Sequence, residues 1–352
     1  MLLPSHTVAL RTLITSLILT SSMLLSGCGG NSGDGGTSAN GTNTPADTPI
    51  QEGNIEENTG EVDDIQSLIS VQHGNPEQDS IVLLYADGGP NPNAEEDTFT
   101  FVGQARDING EKIDYDNVAF VYVKQGQMLN SSAYNTARSF TEIEKDAEQS
   151  VNILFQVASF YKQQGKTVYV QGASHGGFVV LAMLAKYGPE SADAFLIQAM
   201  RLDTPLALVD AFKNDQRAGF VYGNSNYQEG EMVVFADYWS ATCQPIPNLQ
   251  LKSCASDSEL KYQTQFQNLD KLNAAIATPR YTTLLKRYDD LSNVGFAFTD
   301  NDEQLGGMTS EELTVLNRSG AQIYRSMTGG HSRGVRKTQV EAMREMFLLP
   351  SH

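Results

Sequence analysis

From about residue 79 the chain alternates between two kinds of apolar pattern. Six short runs, at 81–86, 118–123, 167–172, 194–200, 294–299 and 321–327, are near-continuously apolar or only weakly alternating. Strands buried on both faces read this way. Between them apolar positions recur at helical steps, as in Ile143, Ala147, Val151, Leu154, Phe155 and Ala158. The stretch 178–187 is an apolar helix stopped by Gly188-Pro189. Thr309 and Glu312 form a capping box for a further helix. This alternation predicts an α/β fold, a mostly parallel central sheet with helices on both faces.

Residues 204–290 break the rhythm. They hold the single Trp239, several Tyr and two predicted helices, but no strong strand series. They are expected to form a helical cap insertion over one end of the sheet, between core segments 63–203 and 291–352. A separate domain is the alternative, although so short a segment would depend on the sheet. Upstream, residues 28–62 are rich in Gly, Ser, Thr, Asn and acids, and such a segment cannot offset its ordering entropy by burial. It reads as a flexible tether. Residues 1–27 carry one Arg, no acid and an apolar stretch at 13–25, too short to span a bilayer comfortably. That is the pattern of a secretory signal; an uncleaved anchor helix is the alternative.

Composition narrows the partners. A net charge of -18 argues against nucleic acid, whose phosphates attract Lys and Arg, and fits a solvated acidic surface. Of three cysteines, Cys243 and Cys254 lie in a polar, Pro-containing stretch with no His between them. In an oxidising compartment they are expected to form a disulfide, not a metal site. No phosphate-binding glycine loop and no ligand pair of histidines is present, so no cofactor and no metal is expected.

The chemistry centres on Gly172-Ala173-Ser174-His175-Gly176-Gly177, between the run 167–172 and the helix that follows. A nucleophilic serine at a sharp strand-to-helix turn needs small residues two before and two after it, because the backbone there is strained and close-packed. Alone, G-x-S-x-G is a weak signal; its place between a buried strand and an apolar helix strengthens it. The stretch resembles the nucleophile elbow of the α/β-hydrolase superfamily. The extra Gly177 is similar to the pattern of the prolyl-oligopeptidase-like branch.

Serine needs a base, usually a His held by an acid. Of five histidines, His6 lies in the signal, His73 precedes the sheet, His352 is terminal, and His175 adjoins the serine on the elbow. His331 remains, in the glycine-rich Thr328-Gly329-Gly330-His331-Ser332, where the resemblance also implies the base. The acid is expected between serine and histidine in chain order. Matching Thr299-Asp300-Asn301-Asp302 to the family's acid loop implies Asp302. The family's glycine is missing at Thr299, so Asp300 stays open, as does Asp203 after the preceding strand. The resemblance further implies an oxyanion hole from the N–H of His175 and from Gly88 or Gly89 in Ala86-Asp87-Gly88-Gly89-Pro90, with Asp87 where the family has His or Tyr.

A second resemblance concerns the N-terminus. Leu25-Ser26-Gly27-Cys28 is similar to the bacterial lipoprotein signal, which implies cleavage before Cys28 and a diacylglycerol on its thiol. Gly29, a residue other than Asp, then favours the outer membrane of the cell envelope. The expected activity is hydrolysis of a small-molecule ester or peptide substrate through an acyl-enzyme on Ser174. A prolyl-oligopeptidase-like peptidase is one alternative, and a catalytically inactive envelope lipoprotein acting as a binding module is another.

Overall fold

Alternate residues of a strand point to opposite faces of its sheet, and here both faces are covered. Val82, Leu84, Val170 and Ile197 face a layer holding Leu154, Val157, Phe178 and Leu181. Leu83, Tyr85, Phe120, Tyr169 and Leu196 face the other way, onto Ala342, Met343, Met346 and Phe347. There the Tyr169 and Phe347 rings stack with centroids 4.8 Å apart. This two-sided burial is why the strand runs carry so few polar residues.

A computed structural model describes residues 65–89, 92, 117–222, 230–235, 237–240, 254–331, 342–343 and 345–347. The signal segment 1–27, the tether 28–62 with Cys28, Pro90 and Cys243 lie outside the described residues. Cys254 is disulfide-bonded.

In chain order the elements are β1 (Ile69–His73), β2 (Ile81–Ala86), β3 (Val118–Val123), α1 (Gly126–Leu129), α2 (Phe140–Gln163), β4 (Thr167–Ala173), α3 (His175–Tyr187) and β5 (Ala194–Gln198). Then come α4 (Leu206–Lys213), β6 (Arg217–Val221), β7 (Glu231–Phe235), α5 (Asp257–Lys261), α6 (Gln263–Ala277) and α7 (Tyr281–Leu285). The chain returns to the core with β8 (Val294–Thr299), α8 (Ser310–Arg318) and β9 (Gln322–Ser326). Seven strands form one sheet in the order β1-β3-β2-β4-β5-β8-β9. Every neighbouring pair is parallel except β1 with β3. The protein thus has an α/β architecture, a mostly parallel sheet between layers of helix.

Local chemistry sets the helix starts. The Ser139 hydroxyl accepts the Glu142 N–H at 3.3 Å while the Glu142 carboxylate accepts the Ser139 N–H at 2.9 Å, opening α2. Thr309 and Glu312 cap α8 in the same reciprocal way. Glu312 is also buried against Arg201, with N–O distances of 3.1 and 3.3 Å.

Two features differ from the sequence-based expectation. Strand β1 is an additional antiparallel edge; only Ile69 of its five residues is buried, so no apolar run marks it. The region 204–290 is not purely helical either, because β6 and β7 pair as an antiparallel two-stranded sheet. Their residues are mostly half-exposed, which removes the strand signature.

The insertion is fastened to the core by buried polar groups. Asn268 on α6 donates to the carbonyls of Tyr134 at 3.0 Å and Thr136 at 2.7 Å, and accepts the Arg138 N–H at 3.2 Å. Asn268→Ala leaves the buried Tyr134 carbonyl without this donor and removes two further bonds, and is expected to lower unfolding stability by about 1–3 kcal/mol. Urea denaturation checks this; an unchanged midpoint contradicts it.

Candidate active site

Strand β4 delivers Ser174 at its C-terminal end, and helix α3 starts on the next residue. Ser174 sits at φ 53° and ψ -120°, a left-handed conformation rare for a non-glycine residue. Holding it there costs on the order of 1–3 kcal/mol, supplied by the surrounding packing. The glycines permit that packing. A Cβ on Gly176 would collide with the Ala86 carbonyl oxygen, and one on Gly177 would lie 2.5 Å from the Gln198 carbonyl oxygen. The turn is also pinned from β5, where the Gln198 carbonyl accepts the Ser174 N–H at 2.8 Å.

Three side chains form a line across this turn. Ser174 Oγ lies 2.8 Å from His331 Nε2, and His331 Nδ1 lies 2.7 Å from Asp302 Oδ2. A neutral imidazole satisfies both contacts, donating from Nδ1 and accepting the serine proton at Nε2. His331 and Asp302 are buried, with 6% and 3% of their surface exposed, whereas Ser174 is partly open to solvent. Burial pushes the His331 imidazole towards neutrality. The charge and hydrogen bond of Asp302, with the charge of Glu303, outweigh it and lift the pKa above the ordinary value.

The orientation of Asp302 is fixed from several sides. Its Oδ1 accepts the N–H groups of Gln304 and Leu305, both at 2.9 Å. Its carbonyl accepts the Tyr222 hydroxyl proton at 2.9 Å, and the Tyr222 oxygen accepts the Gly307 N–H at 3.1 Å. The two other carboxylates weighed for this position are committed elsewhere. Asp300 pairs with Arg325 at 2.7 Å. Asp203 pairs with Arg280 at 2.7 Å and accepts the Thr282 N–H at 3.1 Å, anchoring α7.

Residues expected around an oxyanion are distributed unevenly. The His175 N–H opens α3, where it has no acceptor within the helix and lies at the positive end of the helix dipole. Gly88 packs against the elbow, since a Cβ on it would lie 3.4 Å from Ser174 Cβ. Its N–H, however, donates to Asp87 Oδ1 at 2.8 Å. Gly89 follows with φ +68°. Burial lifts the Asp87 carboxyl to about 6, against the bonds it accepts from Gly88 and Tyr85. Gln125 Nε2 holds the Asp87 carbonyl at 2.9 Å, so the loop after β3 braces the loop after β2.

The side chain of His175 points away from Ser174. Its Nδ1 lies 3.0 Å from Asn273 Oδ1 on α6, and burial drives its pKa down to about 4, only partly opposed by that hydrogen bond. It is therefore neutral at pH 7, donating from Nδ1. The sequence reading missed Asn273, Tyr222, Gln125 and Glu303, the last of which accepts the His331 N–H. Glu303 adjoins Asp302, but only turn geometry shows which loop carboxylates meet the histidine. Among the described residues no group of three His, Cys, Asp or Glu is placed to hold a metal ion.

No protein-family model and no curated protein matches the chain. Its fold is similar to solved structures at low identity. One is MGS-M2, an α/β-hydrolase enzyme from a Medee basin deep-sea metagenome library, at 13% identity and TM-score 0.47, covering 81% of this chain and 94% of that one. Another is the putative non-heme bromoperoxidase BpoC of Mycobacterium tuberculosis H37Rv, at 11% identity and TM-score 0.45, covering 80% and 94%. A third is the peroxisomal α/β-hydrolase Lpx1 of Saccharomyces cerevisiae, at 13% identity and TM-score 0.43, covering 81% and 82%.

The geometry fixes a titration. His331 is expected to titrate above the ordinary histidine pKa of about 6.5, and to drop when Asp302 becomes Asn. Imidazole NMR across pH reads both values, and a pKa at or below the ordinary one contradicts the contact.

Proposed function

We propose that this chain is a serine hydrolase of small-molecule esters, acting through an acyl-enzyme on Ser174. The observation that carries this reading is the continuous Ser174–His331–Asp302 contact at a strained strand-to-helix turn. His331 Nε2 takes the Ser174 proton as Oγ bonds to the substrate carbonyl carbon. The carbonyl electron pair moves to oxygen, and the resulting oxyanion is met by the His175 N–H. A second donor comes from the loop after β2, and Gly89 suits that role better than Gly88, whose N–H is already bonded to Asp87. Collapse expels the leaving group, which takes the proton back from His331. Water then attacks the acyl carbon, again losing a proton to His331, and as the carbon–Oγ bond breaks that proton passes to Ser174 Oγ and the acid product leaves. Asp302 holds the imidazole with Nε2 towards the serine and stabilises its charged form.

This reading also places the reaction in the bacterial cell envelope. The sequence Leu25-Ser26-Gly27-Cys28 supports lipidation at Cys28, most simply at the outer membrane, with residues 28–62 as the tether. Radiolabelled palmitate fed to expressing bacteria should enter the wild-type protein but not the Cys28→Ser variant. Equal labelling of the two would remove the anchor.

A fluorophosphonate probe should label the wild-type protein, with the adduct on Ser174 and none in Ser174→Ala. Asp302→Asn is expected to slow p-nitrophenyl ester turnover by roughly 10³–10⁴-fold, whereas Asp300→Asn, changed outside the contact line, should fall far less. Prolyl and alanyl anilides run alongside decide between ester and peptide bonds. A folded wild-type protein that takes up no probe is a binding module, and the hydrolase reading then fails.

A further inference from the structure

Asn301, Asp302 and Glu303 are consecutive, and each grips the His331 loop through a different group. Asn301 Oδ1 accepts the Gly330 N–H at 3.1 Å, Asp302 Oδ2 meets His331 Nδ1 at 2.7 Å, and Glu303 Oε2 accepts the His331 N–H at 2.8 Å. The Glu303 carboxylate presses on the loop backbone, since a Cβ on Gly330 would lie 2.5 Å from its Oε2. Behind it, the Glu303 carbonyl accepts the Phe220 N–H of β6 at 2.8 Å. Glu303 is therefore held between the insertion and the histidine loop, with its charge directed at the latter.

We propose that Glu303 is a positioning residue of this site: it fixes the main chain of His331 and, as a second carboxylate beside the imidazole, makes Nε2 a stronger base than Asp302 alone would.

This inference rests on the serine-hydrolase reading. Among the described residues, the groups around His331 leave that second charge little opposed. From the loop after β8 come Asp302 and Glu303, and from the elbow comes the neutral Ser174 hydroxyl. Asp300, at the end of β8, is paired with Arg325 of β9. Arg201, beyond β5, spends its guanidinium on Glu312 and on the Leu305 carbonyl. Tyr222, from the insertion, donates its proton to the Asp302 carbonyl. Among the described residues no Lys or Arg forms an ion pair with Glu303. The direction of the His331 shift agrees: burial lowers it, and the two carboxylates together raise it.

Two variants separate charge from position. Glu303→Gln keeps an acceptor for the His331 N–H and removes the charge; Glu303→Ala removes both. The rate of fluorophosphonate labelling at Ser174 is measured across pH, and the His331 imidazole is titrated by NMR in the same proteins. Glu303→Gln should move both the acid limb of labelling and the imidazole pKa down by about half a unit. Glu303→Ala should make the same shift and in addition lose several-fold of the plateau rate, which glutamine partly restores. An acid limb and imidazole pKa that coincide with wild type in Glu303→Gln, or a wild-type plateau in Glu303→Ala, overturns the proposal. If the wild-type protein takes up no probe at any pH, the hydrolase reading is what fails. The NMR titration still tests whether Glu303 raises the imidazole pKa.

Discussion

The structure depends on how closely three main chains approach one another at the C-terminal edge of the sheet. The elbow after β4 lies against the carbonyl of Ala86 at the end of β2 and that of Gln198 at the end of β5. No side chain fits between them, so Gly176 and Gly177 are steric requirements. This crowding holds Ser174 at a positive φ. The same contacts bring the loop after β2, with Gly88, beside the serine. Ser174 and the loop after β2 are thus placed by one packing event.

The other half of the site depends on hydrogen bonds more than on packing. Asp302 and His331 belong to the loops after β8 and β9, which are adjacent parallel strands in register through Thr299 and Ser326. Adjacency brings the loops together, and consecutive polar side chains then bind the histidine loop. The insertion takes part directly. Tyr222 bonds the carbonyl of Asp302, and Asn273 bonds His175, the residue after Ser174. A segment that reads in sequence as a covering is thus bonded to Asp302 at one end of the contact line and to the neighbour of Ser174 at the other.

What could be read from the sequence follows from where burial leaves a trace. Strands β2, β3, β4, β5 and β8 are almost wholly buried and stood out as apolar runs, with β2, β3 and β8 matching to the residue, while the edge strand β9, with only Tyr324 buried, stood out by its weak alternation. Strand β1 at the edge and the β6–β7 pair are half-exposed, so propensity alone could not mark them. Ser174 and His331 were legible because glycines and the scarcity of histidine isolate them. Asp302 was only one of three open choices; what separates it from Asp300 is the partner each finds, Arg325 for one and the imidazole for the other. Glu303 and Asn273 carried no signal, because an acid in a polar loop and an amide on a half-polar helix are ordinary residues until tertiary contacts give them a partner.

Beside the side-chain contacts of Tyr222, the hairpin of the insertion touches the Asp302 loop through main-chain atoms. Phe220 offers its N–H to the Glu303 carbonyl, and Gly219 lies so near that a Cβ there would be 2.8 Å from the same oxygen. These main-chain contacts do not depend on which outward-facing side chains the hairpin carries. Substitutions at the outward positions of the hairpin therefore leave the Phe220–Glu303 contact in place, and with it the spacing of the Ser174–His331–Asp302 line.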